Sequence, residues 1–306
     1  MNELSREQPT LLGIPAGKSL EAGTLELLAA AHIGIIRAHP RSCRAKVEGF
    51  PGIREAIFIK PSQIPELVAD GTIPLALTGE DTVIESGANV ETLTTLAYSR
   101  ATQGGTRCVL FTRDARDVPP LKSTSRVRGA RAKVVSEYPK ETANYLRAKG
   151  IDAKVIPSTG SAESLVVIGK YDYGVALTET GTSLRVNGLR EIDEIFTSRT
   201  ALIGNKKLLE CDIVGDRARY LAKLLKGIVE ARDKVYITMN APLENVDAIK
   251  GVLPSLKSPT IQPLADSAFC AISSVVPIRG LVELKFKLLA LGAEGIVEID
   301  HHSILG

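Results

Sequence analysis

The stretch AIFIKPSQIPELVADGTIPLALTG, residues 56–79, determines the fold class of this chain. Its first five residues, AIFIK, are mostly apolar and include the β-branched and aromatic types that strands prefer, and IPLALTG at 73–79 is a second such run. Between them, IPELVADG at 64–71 has helical spacing and ends in a glycine suited to a helix C-terminus. A strand, a helix and a second strand in this order predict an α/β sheet with largely parallel strands.

The same alternation of strands and helices continues on both sides of this stretch. PTLLGI (9–14) predicts a strand that ends at PAGKS and is followed by a helix. CVLFT (108–112), KETANYLRAKG (140–150) and YDYGVALT (171–178) predict a second group, and IDEIFTSRTALIG (192–204) predicts strands that return to the first group. Two groups joined by crossing segments predict two lobes around a cleft. The loops PAGKS, TGED, PSTGSAE and ETGTS should line it, because ligands of open α/β sheets bind at the carboxyl ends of strands.

The C-terminal third has a different pattern. RARYLAKLLKGIVEARDK (217–234) predicts a long amphipathic helix. From VYITMNAP (235–242) to EGIVEID (294–300) the elements follow the order βαββαβ, which is typical of a ferredoxin-like domain. We therefore expect three parts: 1–103 with 192–232 as the first lobe, 104–191 as the second lobe, and 233–306 as the C-terminal domain.

The charge balance argues against a nucleic-acid partner. The 38 basic residues are spread among 35 acidic ones, and the net charge is only +3, so no strong footprint for a polyanion is present. One basic cluster, formed by Arg126, Arg128, Arg131 and Lys133, has no aromatic neighbours on which bases would stack. We expect this cluster to be a solvated loop.

The cysteines and the N-terminus indicate the cellular compartment. Cys43, Cys108, Cys211 and Cys270 are far apart and form no CxxC pair, which argues against a zinc site and a disulfide framework. The N-terminal segment MNELSREQPTLLGIP has no long apolar core, so it predicts neither a secretory signal nor a membrane anchor. These features predict a cytoplasmic protein without a membrane partner.

The loop ETGTSL (179–184) is the first candidate for chemistry. It combines the hydroxyls of Thr180, Thr182 and Ser183 with Gly181, whose missing side chain lets backbone amides approach a ligand. Such a turn is suited to a phosphate group. Glycine with threonine and serine is also common in ordinary turns, so this pattern alone leaves both interpretations open.

In context the loops resemble a known enzyme family. GSAE followed by ETGTSLRVNGLRE is similar to the loop that binds 5-phosphoribosyl 1-pyrophosphate (PRPP) in ATP phosphoribosyltransferase, the first enzyme of histidine biosynthesis. KPSQIPELVADG with LTGED resembles the first-lobe motif of that family, and GGTRCVLF with EYP resembles its second lobe. NAP, SPTIQPLAD and LGAEGIV are similar to the regulatory domain of its long form. The likeness extends over residues 10–303.

The resemblance implies a fold and a reaction. The fold is a two-lobed catalytic core like that of periplasmic binding proteins, followed by a ferredoxin-like, ACT-like regulatory domain. In the reaction, N1 of ATP displaces pyrophosphate from the anomeric carbon of PRPP with inversion, and Mg²⁺ arrives bound to the substrate. The resemblance also implies a homo-oligomer, from a dimer to a hexamer, with L-histidine as effector.

The resemblance further implies roles for individual residues. The catalytic roles belong to Glu163, Lys60 and Arg107. The residues that contact PRPP are Glu179, Thr180, Gly181, Thr182, Ser183 and Leu184. The residues that contact ATP are Gly17, Lys18, Gly79, Glu80, Asp81, Tyr138 and Gly160. The residues that contact histidine are Asn240, Leu256, Ser258, Thr260, Val275 and Gly295. No metal site built from protein side chains alone is expected.

Four positions depart from the family pattern. Ala16 and Ser19 stand where the first loop normally supplies Lys and Arg, and Pro74 replaces an acidic residue. Ala176 stands where the PRPP loop usually begins with Asp. A missing charge-assisted contact costs about 1.5–3 kcal/mol. Three functions therefore remain open: an ATP phosphoribosyltransferase with adapted contacts, a paralogue that transfers phosphoribose to another acceptor, and a two-lobed protein that binds or regulates without catalysis.

Overall fold

The structure, a computed structural model, describes a chain of two compact units, Met1–Ala222 and Lys223–Gly306. The residues that it describes are 10–97, 105–113, 121, 131–254, 258–266, 268–300 and 303–305. Of Lys18 and Ser19 it describes the backbone alone. Arg126, Arg128 and Leu256 lie outside the described residues. Within the described residues, no helix is long and apolar enough to cross a membrane.

The first unit alternates strands and helices, which confirms the α/β class. In chain order its elements are β1 (Thr10–Pro15), α1 (Lys18–Ala30), β2 (Gly34–Ile36), β3 (Arg44–Glu48), β4 (Ile53–Ile59), α2 (Ile64–Ala69), β5 (Leu75–Gly79), α3 (Glu80–Ser86), β6 (Glu91–Leu96), β7 (Thr106–Arg113), β8 (Ala132–Ser136), α4 (Pro139–Ala148), β9 (Ala153–Pro157), α5 (Ala162–Val167), β10 (Tyr173–Thr178), α6 (Thr182–Val186), β11 (Leu189–Ser198), β12 (Thr200–Gly204) and α7 (Lys206–Leu209). The next helix, α8 (Asp212–Ala231), begins and ends earlier than the helix predicted over 217–234.

Seven strands form the first sheet, in the order β2-β3-β4-β1-β5-β12-β6. Its centre is parallel, because β1 pairs with β4 and β5 in the same direction, and the side chains of Leu12, Ile14 and Leu75 are fully buried there. The strands β2, β3, β6 and β12 pair antiparallel with their neighbours. The sheet is therefore mixed, and the prediction of largely parallel strands holds only for its centre.

Five strands form the second sheet, in the order β11-β7-β10-β8-β9. The strands β8, β9 and β10 are parallel, whereas β7 runs antiparallel to β10 and β11. Alternate residues of β7 enter two apolar clusters on opposite faces, with Cys108 and Leu110 on one face and Val109 and Phe111 on the other. This sheet is the second lobe of the core.

The crossing between the two sheets lies later than the sequence suggested. The prediction was that the segment from Ile192 onward returns to the first lobe. Instead β11 pairs with β7 as far as Ser198, opposite Thr106, and only β12 joins the first sheet. One residue, Arg199, separates the two strands. The second sheet retains β11 because the strand matches the whole length of β7, from Arg113 to Thr106.

The second unit contains the predicted βαββαβ arrangement. Its elements are β13 (Lys234–Pro242), α9 (Val246–Val252), β14 (Thr260–Pro263), β15 (Phe269–Pro277), α10 (Leu281–Ala290) and β16 (Glu294–Ile299). The antiparallel order β14-β15-β13-β16 is ferredoxin-like. Val235, Ile237 and Met239 alternate along β13 toward a core shared with α9 and α10. The opposite face of this sheet carries the partly exposed or exposed side chains of Tyr236 and Val297.

Candidate active site

The loops that follow the parallel strands of both sheets lie around one cavity of about 800 Å³. In the first sheet β1, β4 and β5 are mutually parallel, and in the second sheet β8, β9 and β10 are. Three of the four predicted loops contribute lining residues: TGED contributes Gly79 and Asp81, PSTGSAE contributes Ser158 and Thr159, and ETGTS contributes Glu179. On the PAGKS side, Leu20 is the first lining residue among those whose side chains the structure describes.

A buried hydrogen-bond network joins the two sheets at this cavity. The Tyr138 hydroxyl donates to Oδ2 of Asp81 at 2.8 Å, and the Ser198 hydroxyl donates to Oδ1 at 2.7 Å. The backbone N–H of Asp81 in turn donates to the Ser198 hydroxyl at 3.0 Å. Asp81 follows a strand of the first sheet, whereas Tyr138 and Ser198 belong to the second. Both carboxylate oxygens are thus satisfied by neutral donors from the other lobe, which offsets the cost of burying the charge.

Burial and the nearby Asp81 charge raise the pKa of Tyr138 above its usual range. The tyrosine therefore remains a protonated donor under physiological conditions. Its ring packs edge-on against Phe196 with the centroids 5.7 Å apart. Gly79 has no side chain to obstruct this arrangement, since a Cβ at that position would collide with the Asp81 carboxylate. The fold thus brings together Gly79, Asp81 and Tyr138, to which the family resemblance gives a role in ATP binding.

Two further contacts cross between the lobes next to the network. The Glu80 side chain accepts from the backbone N–H of Arg199 at 2.9 Å, and the Arg199 carbonyl accepts from the Glu80 N–H at 2.8 Å. The Glu85 carboxylate accepts from the backbone N–H groups of Lys140 and Glu141 at the start of α4, at 2.9 and 3.1 Å. These contacts hold α3 of the first lobe against the second lobe.

The ETGTS loop forms a tight turn that is closed by its own hydrogen bonds. Gly181 has a φ of 68°, in the left-handed region that favours glycine, and its N–H donates to the Thr178 hydroxyl at 2.9 Å. The hydroxyls of Thr180 and Thr182 share a hydrogen bond of 2.8 Å, and Arg185 donates to Thr182 at 3.1 Å. These amides, hydroxyls and the guanidinium are bonded to one another, so a ligand of this turn would have to exchange some of these bonds for its own.

The position of Glu163 is fixed by the same loop. The Ser183 hydroxyl donates to Oε2 of Glu163 at 2.5 Å, across from α6 to the first turn of α5. Before α5, Gly160 and Ser161 both have positive φ, 133° and 65°. For serine this conformation costs roughly 1–2 kcal/mol. The loop that leads into Glu163 is thus held in a strained form next to the cavity.

Other predicted residues lie farther from the cavity. Arg107 forms an ion pair with Glu191, which raises the pKa of Arg107, and it lies 3.5 Å from Glu194, so its guanidinium is directed toward β11. Leu184 is buried in the core beneath the ETGTS loop. The N–H of Gly17 donates to Glu21 at 2.9 Å. None of the three is among the described residues that line the cavity. The same holds for the predicted residues Glu80, Gly160, Glu163, Thr180, Gly181, Thr182 and Ser183.

The sequence did not single out several cavity residues. Lys60 was predicted and lines the cavity, but Lys140 and Arg199 supply further cations there, and Glu137 supplies a carboxylate. Burial and the charge of Glu163 raise the pKa of Glu137. A polar residue at a strand end gives no signal by itself, because its role depends on which strands lie beside it.

Comparison with known proteins identifies the family. The family model for ATP phosphoribosyltransferase (HisG) matches residues 60–228, more than half of the chain, and the model for the C-terminal domain of the same family matches 231–302. The ATP phosphoribosyltransferase of Desulfatibacillum aliphaticivorans is 34% identical over 298 residues, which cover 96% of this chain and 98% of that protein. The chain belongs to the ATP phosphoribosyltransferase family.

A second relative and a solved structure are also similar to this chain. The ATP phosphoribosyltransferase of Methanothermobacter thermautotrophicus is 32% identical over 302 residues, 96% of this chain and 98% of that protein. A chain in the ATP phosphoribosyl transferase (HisG:HisZ) complex from Thermotoga maritima is similar in fold, with a TM-score of 0.54 and 23% identity over 69% of this chain and 99% of that chain. The predicted family, the two-lobed core and the additional C-terminal domain are confirmed.

The structure places the four departures from the family pattern. Ala16 lies in the loop after β1, and Ser19 lies in the first turn of α1. The carbonyl of Pro74 accepts from the N–H of Asn205 at 3.0 Å, so this position has a backbone role before β5. The Ala176 side chain is 8% exposed and packs in the apolar cluster of the second sheet.

The residues predicted to bind histidine lie on or next to the sheet of the second unit. Asn240 and Val275 lie on the face opposite α9 and α10, and so does Thr260, which pairs with Ser273. Ser258 precedes β14 and Gly295 belongs to β16. Val275 pairs with Tyr236, four positions along β13 from Asn240, so the two side chains are separated along the sheet and do not share one small pocket within one chain.

Proposed function

We propose that this protein transfers the 5-phosphoribosyl group of PRPP to N1 of ATP, releases pyrophosphate, and so catalyses the first step of histidine biosynthesis in the cytoplasm. The observation that carries the proposal is the cavity at the carboxyl ends of both sheets, lined by Glu179, the first residue of the ETGTS loop, on one lobe and by Lys60 and Asp81 on the other. A volume of about 800 Å³ is within the range of small-molecule sites.

The chemistry needs positioning more than covalent catalysis. As the bond from the anomeric carbon to pyrophosphate breaks, positive charge develops on the ribose, and N1 of adenine then forms the new bond. The ETGTS amides and hydroxyls would hold the 5-phosphate, while Lys60, Lys140 and Arg199 would face the departing pyrophosphate. The contacts across Asp81 and Glu85 would set the distance between the two lobes and so align the two substrates.

Arg107 has a different part in this proposal. Its ion pair with Glu191 lies on the side of the second sheet that carries α6, close to Gly181. We assign it to the positioning of the ETGTS loop through Glu191, whereas Glu163 acts through its hydrogen bond with Ser183. Gly17, Lys18, Glu80 and Gly160 remain proposed contacts of the substrates.

Magnesium fits the donor set as an ion that the substrate carries. Among the described residues, no group of three or more His, Cys, Asp or Glu side chains is placed to hold a metal. Mg²⁺ is commonly held by one or two carboxylates together with phosphate oxygens, and Glu179, on the cavity wall, would supply such a ligand. The ion would neutralise charge on pyrophosphate as it leaves.

The direct test is to incubate the purified protein with PRPP, Mg²⁺ and a panel of nucleotides and bases. We expect pyrophosphate release with ATP and a product whose mass equals ATP plus phosphoribose. Turnover with another acceptor but not ATP would identify the paralogue. Binding of PRPP without any turnover would identify a non-catalytic binding protein. A protein that neither binds nor converts PRPP would refute the proposal.

For the second unit we propose histidine binding between copies of this chain. The open sheet face carries Asn240, Thr260 and Val275, and its apolar side chains Val297 and Ile299 are about half exposed. Such a face is commonly covered by a second copy, which would bring dispersed contacts together at one interface. Histidine would favour one arrangement of the subunits over another.

Titration of L-histidine tests this regulation. We expect turnover to fall and the scattering-derived shape of the oligomer to change over the same concentration range. An active enzyme that responds in neither measurement at millimolar histidine would refute the regulatory proposal and leave the catalytic one intact.

A further inference from the structure

Glu137 is a carboxylate that the fold leaves without a partner. It follows β8, its side chain is partly buried, and it lines the cavity. Within the described part of the chain, its carboxylate has no hydrogen-bond or ion-pair partner. A partly buried carboxylate without donors is unfavourable. Its oxygens are not among the fully buried atoms that lack a partner, so water solvates them in the free protein and a ligand with hydrogen-bond donors can replace that water.

The neighbour of Glu137 on the next strand is Ala176. In the parallel pairing of β8 with β10, Ser136 lies opposite Val175, and the N–H of Glu137 contacts the Val175 carbonyl at 3.5 Å. Val135 and Ala176 belong to the same apolar cluster. Continuing this register by one residue places Glu137 beside Ala176. The small side chain at 176 leaves room for it.

Glu137 also lies beside the ETGTS loop. Glu163, at the start of α5, receives the hydroxyl of Ser183 from that loop. The charge of Glu163 is close enough to contribute to the raised pKa of Glu137, after the larger effect of burial. The unpaired carboxylate is thus next to the group that would hold the 5-phosphate end of PRPP.

We propose that Glu137 binds the ribose hydroxyls of PRPP, an inference that rests on the proposed function. The vicinal hydroxyls would supply the donors that this carboxylate lacks. Glu179 also lines the cavity but follows the end of β10, whereas Glu137 continues the β8 register opposite Ala176. The Glu137 carboxylate is therefore the one that lies next to position 176, which has no polar group.

Calorimetric titration of the full chain with ribose 5-phosphate and with 2-deoxyribose 5-phosphate tests the assignment. We expect the wild type to bind the ribose form about tenfold more tightly or better, as is typical of a hydrogen bond to a charged group. Glu137→Gln should reduce this preference to less than about threefold. The matched control is Glu66→Gln, which changes another cavity carboxylate on the first lobe and should retain the wild-type preference.

A rescue experiment separates a binding role from a structural one. Glu137→Ala should raise the KM for PRPP at least about tenfold. Adding Ala176→Asp to that variant should restore most of the loss, because the carboxylate then comes from the adjacent strand. Ala176→Asp in the wild type should be unfavourable, since it adds a third negative charge near Glu137 and Glu163. In the control, Ala176→Asp should not rescue Glu179→Ala.

The stability of the free protein gives an independent result. Glu137→Gln removes an unpaired charge, so we expect a higher Tm at neutral pH together with weaker PRPP binding. If the wild type turns over ATP and PRPP but Glu137→Gln keeps its full preference for ribose, the role of Glu137 is refuted and the proposed function stands. If the wild type binds no sugar phosphate and has no activity with PRPP, both proposals fail.

Discussion

Replacing Tyr138 by phenylalanine isolates one hydrogen bond between the lobes. The change removes the hydroxyl that donates to Asp81 at 2.8 Å and retains the ring that packs on Phe196. Asp81 is 7% exposed, so water replaces the lost donor poorly. A hydrogen bond to a charged group contributes about 1.5–3 kcal/mol. For a unit of this size each kcal/mol corresponds to roughly 2–4 °C, which gives an expected fall in Tm of roughly 3–12 °C.

Thermal and urea unfolding of the full chain provide the measurement, with Tyr145→Phe as the matched control. Tyr145 also donates to a carboxylate, Asp193 at 2.5 Å, but Lys149 lies 3.1 Å from that carboxylate and remains as a partner. The control should therefore lose less stability than Tyr138→Phe. Equal losses in the two variants, or an unchanged Tm in Tyr138→Phe, would show that the bond between the lobes does not stabilise the unit.

Three further predictions concern the lobe contacts, the loop and acid stability. Glu85→Gln weakens the hydrogen bonds to the start of α4, so steady-state kinetics should show a higher KM for both substrates without loss of turnover. A change in the KM of only one substrate would contradict a role in holding the lobes together. At Gly181 the structure has room for a Cβ, but alanine would have to adopt the φ of 68°. Gly181→Ala should therefore lower the free energy of unfolding in urea by roughly 1–2 kcal/mol and weaken PRPP binding. An unchanged free energy of unfolding would mean that the turn adapts to the side chain. The hydrogen bond from Tyr145 lowers the pKa of Asp193, so its contribution to stability is present above the unfolded pKa near 4 and is lost as the pH falls through the lower folded pKa. The stability difference between Tyr145→Phe and the wild type, measured by urea unfolding, should therefore shrink as the pH is lowered from neutral through the acid range. A difference that stays constant with pH would exclude this cause.

The elements with strong hydrophobic patterns were predictable from the sequence. The strand at 56–60 and the βαββαβ order after 233 follow from local runs of apolar residues, and the structure contains both. β3 was missed because its sequence, RAKVE, is only two-fifths apolar, although its buried and exposed residues alternate. The extent of β11 was missed for another reason. Its partner β7 is distant in sequence, and only the pairing in space determines that the strand continues to Ser198.

The site was predictable where it depends on a local motif and not where it depends on packing between segments. The ETGTS loop is a continuous motif, so its turn at Gly181 follows from the sequence. Glu137 and Ala176 are 39 positions apart in the numbering and become neighbours only through the pairing of β8 with β10. Asp81 and Ser198 are likewise joined by the crossing between the sheets. No single segment carries the information that these side chains meet.

Two anionic substrates need cations in the cavity, yet the loop after β1 has Ala16 and Ser19 where the family has Lys and Arg. The partners of the cavity carboxylates bear on this difference. Asp81 is satisfied by two hydroxyls and Glu85 by two backbone N–H groups, so neither carboxylate uses a cation of the cavity wall. Lys60 forms no ion pair within the described residues, and it remains available for pyrophosphate. Hydroxyls, backbone amides and the Lys140 ammonium, which donates to the Ser86 carbonyl at 2.9 Å, therefore hold the lobes together, while Lys60 is left for the ligand. An ion pair in place of the Asp81 network would have joined the lobes as well, but it would have taken a positive charge away from the site.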